Sequence, residues 1–186
     1  HVPWYPPFDA NQYYGFYAVP DEFTAHRAVT AELLTQVKSR WGGGEIIGIT
    51  GIPGYSTDIV RSRGRDDALK QFPEIKLVGE LPGNWNREDS VNATQDLLAR
   101  NPNIRGVVAQ NDDIAQGVLA ALRTNGLRAG EDVLVVGADG TSGAVRAIAG
   151  ARFSAGASSP PVSPESPIEV QVTLMVTHQM ARFRAR

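Results

Sequence analysis

The stretch "IRGVVAQNDDIAQGVLAAL", residues 104–122, joins two kinds of periodicity. Val107 to Ala109 form an apolar run without alternation, which suits a strand covered on both faces. The chain then turns polar for four residues: Gln110, Asn111, Asp112 and Asp113. Ile114, Val118, Leu119 and Leu122 follow at helical spacing. A buried strand passing directly into an amphipathic helix is half of a right-handed βαβ unit. Four consecutive amide and carboxylate side chains exceed what such a junction needs, because a helix start requires one cap. They pose a choice between capping and a polar ligand.

The same rhythm extends in both directions. Asp21 caps an expected helix over 21–41, with Phe23, Val29, Leu33, Leu34 and Val37 as its apolar positions. Strands are expected at "GGGEIIGITG" (42–51), "IKLVGEL" (75–81), "IRGVVAQ" (104–110) and "DVLVVGA" (132–138), with a short last one near "RFSAGA" (152–157). Between them fall helices from about Thr57 to Phe72 and Asp89 to Arg100, then over 113–126 and 142–150. Apolar strands alternating with helices predict an α/β fold over residues 21–158. Its parallel sheet would be flanked by helices on both faces, as in a flavodoxin-like or Rossmann-like lobe.

The ends depart from this pattern. Residues 1–20 form an aromatic-rich approach segment in which Pro3, Pro6 and Pro7 forbid a helix, and "YYGFYAV" (13–19) can form a strand. Residues 159–186 continue a Pro/Ser linker that starts at Ser158, pass through the alternating "IEVQVTLMV" (168–176), and end in a basic tail. The chain opens at His1 without an initiator Met, and reads as processed, tagged or excised from something longer.

Composition narrows the functional classes. Of 186 residues, 42% are hydrophobic and 20% charged, as in an ordinary globular protein. A net charge of −2 offers no basic footprint for nucleic acid. No apolar run approaches the roughly 20 residues of a membrane-spanning helix. With no cysteine and only His1, His26 and His178, scattered along the chain, neither a disulfide nor a metal cluster is expected. No cofactor is expected either, since no phosphate-cradling loop follows any strand.

In an open parallel sheet, ligands bind outside the carboxyl ends of the strands. Here those ends deliver Tyr55 and Arg63 after the first strand and Trp85 after the second. Asn111 and Asp112 follow the third, and Asp139 the fourth. An aromatic plane, carboxylates, an amide and a guanidinium suit a neutral polyol. The ring would cover its C–H face, and the polar groups would share its hydroxyls. Each residue also has a plainer reading. Asp112 and Asp139 stand where a helix cap would stand. Trp85 could fold onto the core, and Tyr55 could close its loop. Arg63 competes with Arg61 and Arg65 in "RSRGR", where a solvated helix face is the default.

At "GIPGYSTDIVRSRGRDDAL", "VVAQNDDIAQGVLAAL" and "VLVVGADGT" the sequence resembles the periplasmic sugar-binding proteins of ABC importers, of the ribose-binding type. The resemblance spans residues 21 to about 157 and matches the second of that family's two lobes. It implies non-catalytic binding of a monosaccharide or polyol outside the cytoplasm: in the periplasm, or lipid-anchored in a Gram-positive source. Importer membrane subunits would be the partners. Carried over by position, the ligand arginine before a glycine falls on Arg63, the stacking aromatic on Trp85, the amide on Asn111 and the carboxylate on Asp139. The last contact, usually Gln, falls on Ser158. On this reading Asn111 touches the ligand and Asp112 starts the helix. The effector lobe of a LacI-type repressor shares the fold and is the alternative. An enzyme is not expected, because no nucleophile is paired with a base. The aromatic segment from Trp4 to Tyr17 and the face of 168–176, if uncovered, would favour self-association.

Overall fold

The computed structural model describes residues 21–144 together with 146 and 147. In chain order the elements are α1 (Glu22–Trp41), β1 (Gly44–Thr50), α2 (Ser56–Leu69), β2 (Ile75–Pro82), α3 (Arg87–Arg100), β3 (Ile104–Ala109), α4 (Asp112–Thr124) and β4 (Leu134–Val136). The strands form one sheet in the order β2-β1-β3-β4, and every neighbouring pair is parallel.

Why the strands read as continuously apolar is visible in their two-sided burial. Ile46, Val108, Leu134 and Val136 pack against Val29, Leu33, Leu34 and Val37 of α1 and Ala68 of α2. Ile47, Ile49, Val107 and Ala109 point the other way, onto Ala93, Leu97 and Leu98 of α3 and Ile114, Val118 and Leu122 of α4. Successive side chains alternate between two helix layers, so both sets must be apolar. Among the described residues, β2 has a neighbour on one side only. It is correspondingly half-buried, with Lys76 and Glu80 exposed along the edge.

Local signals set the boundaries. Asp21 caps α1 by accepting from the Thr24 amide at 3.0 Å, and Gly42, at φ 74, ends that helix in the left-handed conformation. Phe23, expected among the apolar positions of α1, is 37% exposed, because the first turn projects past the end of the sheet. α3 begins at Arg87 because Asn86 accepts from the Asp89 amide at 2.9 Å. β4 covers less than the expected 132–138. A helical segment resumes at Ser142. The strands expected at 13–19, 152–157 and 168–176, and the linker from Ser158, lie outside the described residues.

The crossing of α3 and α4 is close enough to require glycine. A Cβ on Gly117 would sit 2.5 Å from the Arg87 carbonyl oxygen and 2.6 Å from the Ser90 Cβ. Alanine at a helix interior is intrinsically better than glycine by about 1 kcal/mol. Overpacking against backbone costs about 1–3 kcal/mol. We predict that Gly117→Ala destabilises the fold by about 1 kcal/mol net, measured by urea denaturation. A gain in stability would show that the two helices separate freely.

Candidate functional site

The strand order places a reversal between β1 and β3. From β1 the chain moves outward to β2, and from β3 it moves the opposite way to β4. Such a switch point opens a crevice at the carboxyl ends of the two central strands. β1 leads there into Gly51, and β3 into Gln110.

Gln110 is 2% exposed, and all its side-chain capacity is used. Its Oε1 accepts from the Gly51 amide at 2.9 Å. Its Nε2 donates to the Asp58 carbonyl at 3.1 Å and to the Ser62 Oγ at 2.9 Å. The Gly51 amide also donates to the Asp58 carboxylate at 3.1 Å. The carbonyl of Gln110 accepts from His26 Nε2 at 3.0 Å and from Arg61 Nη1. One residue thus ties the ends of β1 and β3 to α1 and α2.

On this platform stands Arg61. The residue is 7% exposed, its Nε donates to Glu22 at 2.7 Å, and its Nη2 donates to Asp139 at 3.1 Å. The guanidinium lies 5.7 Å from the centre of the Trp85 ring. Burial alone would favour its neutral form. The carboxylates of Glu22 and Asp139 outweigh that, so the group is held charged above its usual range. Asp139 is pushed the other way. Partial burial raises its carboxyl, Arg61 pulls it down, and the charges of Asp112 and Glu22 add to the rise.

The arginine that reaches the site is therefore Arg61 and not Arg63. On α2 the buried positions are Asp58, Arg61, Gly64, Arg65 and Ala68. Arg63 lies two residues on, roughly 200° around the helix, and faces solvent. Residues 111 and 112 each take a structural role at the start of α4, which opens at Asp112 as expected. Asn111 is the cap, its Oδ1 accepting from the Ile114 amide at 2.8 Å. Asp112 is 5% exposed, and its carboxylate accepts from the Thr141 amide at 2.6 Å, tying the start of α4 to the loop after β4. Asn111 stays beside the cluster with its amide nitrogen directed to no acceptor among the described residues. At Asp139 the capping reading fails, because Thr141 Oγ1 takes that role for the Ala144 amide at 3.3 Å. Tyr55 occupies the cap position of α2 without a side-chain cap bond and is 51% exposed. Ser158 lies outside the described residues. The structure brings together Trp85, Asp112 and Asp139 with Arg61, Gln110, Glu22 and His26.

Two of these residues hold uncommon backbone. Among the described residues, three other than glycine have positive φ: Asn84 at 51°, Trp85 at 60° and Asp139 at 109°. A bulky side chain in that region costs on the order of 1–2 kcal/mol. Such strain gathers where function holds a residue in place. At Trp85 it lays the indole over Gly51, where a Cβ would come within 1.9 Å of the ring. A groove of about 680 Å³ runs separately along the β2 edge past Leu81, Asn84 and Asp96, and shares no residue with this cluster.

A parallel α/β layer with polar side chains and an indole converging on its switch point defines a ligand-binding lobe. The chain belongs to the periplasmic binding protein family, whose domain matches residues 9–182. It is similar to the xylitol-binding protein of Mycolicibacterium smegmatis, 37% identical over 128 residues, which are 68% of this chain and 36% of that protein. It is also similar to the D-allose-binding periplasmic protein of Escherichia coli, 39% identical over 98 residues, or 53% of this chain and 31% of that one. A solute binding protein of an ABC transporter from Mycobacterium smegmatis, solved with bound glycerol, superimposes with a TM-score of 0.63 at 36% identity. That match covers 69% of this chain and 43% of the other. The chain spans about a third of the length of these curated relatives.

His26 supplies a test of the platform. It is 1% exposed, its Nδ1 meets no partner among the described residues, and burial beside Arg61 and Arg65 lowers its pKa from 6.5 to about 4. The unfolded chain takes up a proton below pH 6.5 that the folded lobe refuses. The contribution is therefore complete above about pH 6.5 and is lost as pH falls to about 4, amounting to up to about 3 kcal/mol. We predict that His26→Gln flattens the pH dependence of unfolding free energy across that window. An unchanged slope would place the titration elsewhere.

Proposed function

We propose that this chain supplies one lobe of a solute receptor that delivers a monosaccharide or related polyol to an ABC importer. Binding is non-catalytic. The observation that carries the reading is the cluster at the switch point: Arg61 held between Glu22 and Asp139, over an indole that strained backbone keeps in place. Arg61 donates to ring or hydroxyl oxygens, Asp139 accepts from hydroxyls, and the Asn111 amide adds a donor. Trp85 offers the C–H face of the ligand a flat apolar surface. The names of the similar proteins, for xylitol and D-allose, support the ligand class. They also favour the receptor over a repressor's effector lobe, and an extracytoplasmic location with importer membrane subunits as partners. The self-association expected from 4–17 and 168–176 belongs to this proposal as well, and light scattering over a dilution series tests it.

Asp139→Ala in the full-length protein is expected to cost roughly 1.5–3 kcal/mol of sugar binding through loss of charge-assisted hydrogen bonds. Loss of the Arg61 pair should lower the melting temperature as well, but Arg61 keeps Glu22 and the Gln110 carbonyl, so the loss of affinity should exceed the loss of stability. Calorimetric titration with pentoses, hexoses and pentitols, with melting as the control, checks both. A variant that binds normally but melts early would make Asp139 a structural residue.

A further inference from the structure

Among the groups at the switch point, Glu22 is the one that ligand recognition leaves unexplained. It belongs to the first turn of α1 and to none of the loops that follow the strands, and its carboxylate takes the Nε edge of Arg61 at 2.7 Å. The pair is mostly buried, with side-chain exposures of 9% for Arg61 and 23% for Glu22. A surface pair of this kind would mean little, but a desolvated one governs how the arginine is presented.

Two consequences follow for anything that binds here. First, three of the five N–H groups of Arg61 are already committed, to Glu22, to the Gln110 carbonyl and to Asp139. The two that remain can each donate to a hydroxyl, but the guanidinium is no longer a free anion receptor. Secondly, the charges do not cancel. Among the described residues, Glu22, Asp112 and Asp139 set three carboxylates against the single guanidinium of Arg61, an excess of two negative charges before the Asp58 carboxylate on the Gly51 amide is counted. The neighbouring cations do not correct this: Arg65 is paired with Asp66 and Glu80, Arg87 with Asp113, and Arg63 faces solvent.

We infer that Glu22 is a specificity-determining residue that makes the site accept neutral polyols and refuse the sugar acids derived from them. It does so by occupying Arg61 internally and adding its own charge to that of Asp139 and Asp112. An aldonate carries the hydroxyl pattern of its parent sugar plus a carboxylate. Bound here, that carboxylate would meet net negative potential and an arginine with no open fork. The inference rests on the polyol-receptor reading and extends it from what binds to what is excluded.

The test uses the full-length protein and calorimetric titration with xylitol, D-ribose and D-allose, each beside its matching aldonate, at fixed ionic strength. Wild type is expected to bind a neutral member of the panel and to hold its acid at least about 100-fold more weakly, since one repulsive charge at this range is worth one to two decades. Glu22→Gln, which keeps the side-chain shape and an oxygen, is expected to narrow that gap about tenfold, chiefly by tightening the acid. Glu22→Asp should preserve the refusal. A merely structural Glu22 would move both ligands together. Wild type gives a second readout without any variant: added salt should bring acid and neutral affinities closer, because the repulsion is screened. Neutral binding with an acid-to-neutral ratio that neither Glu22→Gln nor salt shifts overturns the inference and leaves the polyol reading standing. Wild type that binds no neutral member of the panel overturns the polyol reading, and this inference with it.

Discussion

Everything at the carboxyl edge of the sheet depends on the side-chain amide of Gln110. β1 and β3 end side by side, and a parallel sheet leaves backbone groups unsatisfied at its carboxyl edge. Gln110 resolves this from within: its oxygen takes the Gly51 amide, and its nitrogen holds the Asp58 carbonyl and Ser62. Its carbonyl is then left to receive Arg61 and His26. A buried amide with every capacity met is rigid, and rigidity here becomes position for the arginine above it. Removing any one partner would leave a polar group in a dry site, at about 1–3 kcal/mol.

From that platform the chemistry of the rim follows. Arg61 keeps its charge because carboxylates from α1 and from the loop after β4 flank it. Burial, helped by the charges of Asp112 and Glu22, keeps the Asp139 carboxyl above its ordinary range although Arg61 pulls it down. The indole of Trp85 can lie against the chain only because position 51 has no side chain, and it does so at the cost of left-handed backbone. Strain and burial are accepted at the switch point while the sheet and its two helix layers supply stability. Function and fold occupy different parts of one lobe.

Much of this was legible in the sequence. Continuous apolar strands such as "EIIGIT" and the helical spacing of Ile114, Val118 and Leu122 reveal the parallel sheet and its two layers. Strand ends gave the edge on which Trp85 and Asp139 meet. The choice of arginine was not legible from "RSRGR" alone. It depended on the phase of α2, where Asp58, Arg61, Arg65 and Ala68 share the inward face; a helix-phase count from Asp58 sets Arg63 aside but still leaves Arg61 and Arg65. That Asn111 caps the helix which Asp112 opens was hidden for a similar reason. Either residue can cap, and only the position of Thr141, 29 residues onward, gives Asp112 a partner of its own. Gln110, Glu22 and His26 are set by contacts between distant segments, and no local pattern signals those.

The most direct measurement is a crystal structure of the protein with a bound sugar or polyol. The account predicts the ligand at the carboxyl ends of β1 and β3, with the Trp85 indole over its C–H face. Arg61 Nη and Asp139 Oδ should lie within hydrogen-bonding distance of its oxygens, with Gln110 still bonded to Gly51 beneath. Arg63 on the ligand with Arg61 turned away, or a ligand seated at the opposite edge of the sheet, would contradict it.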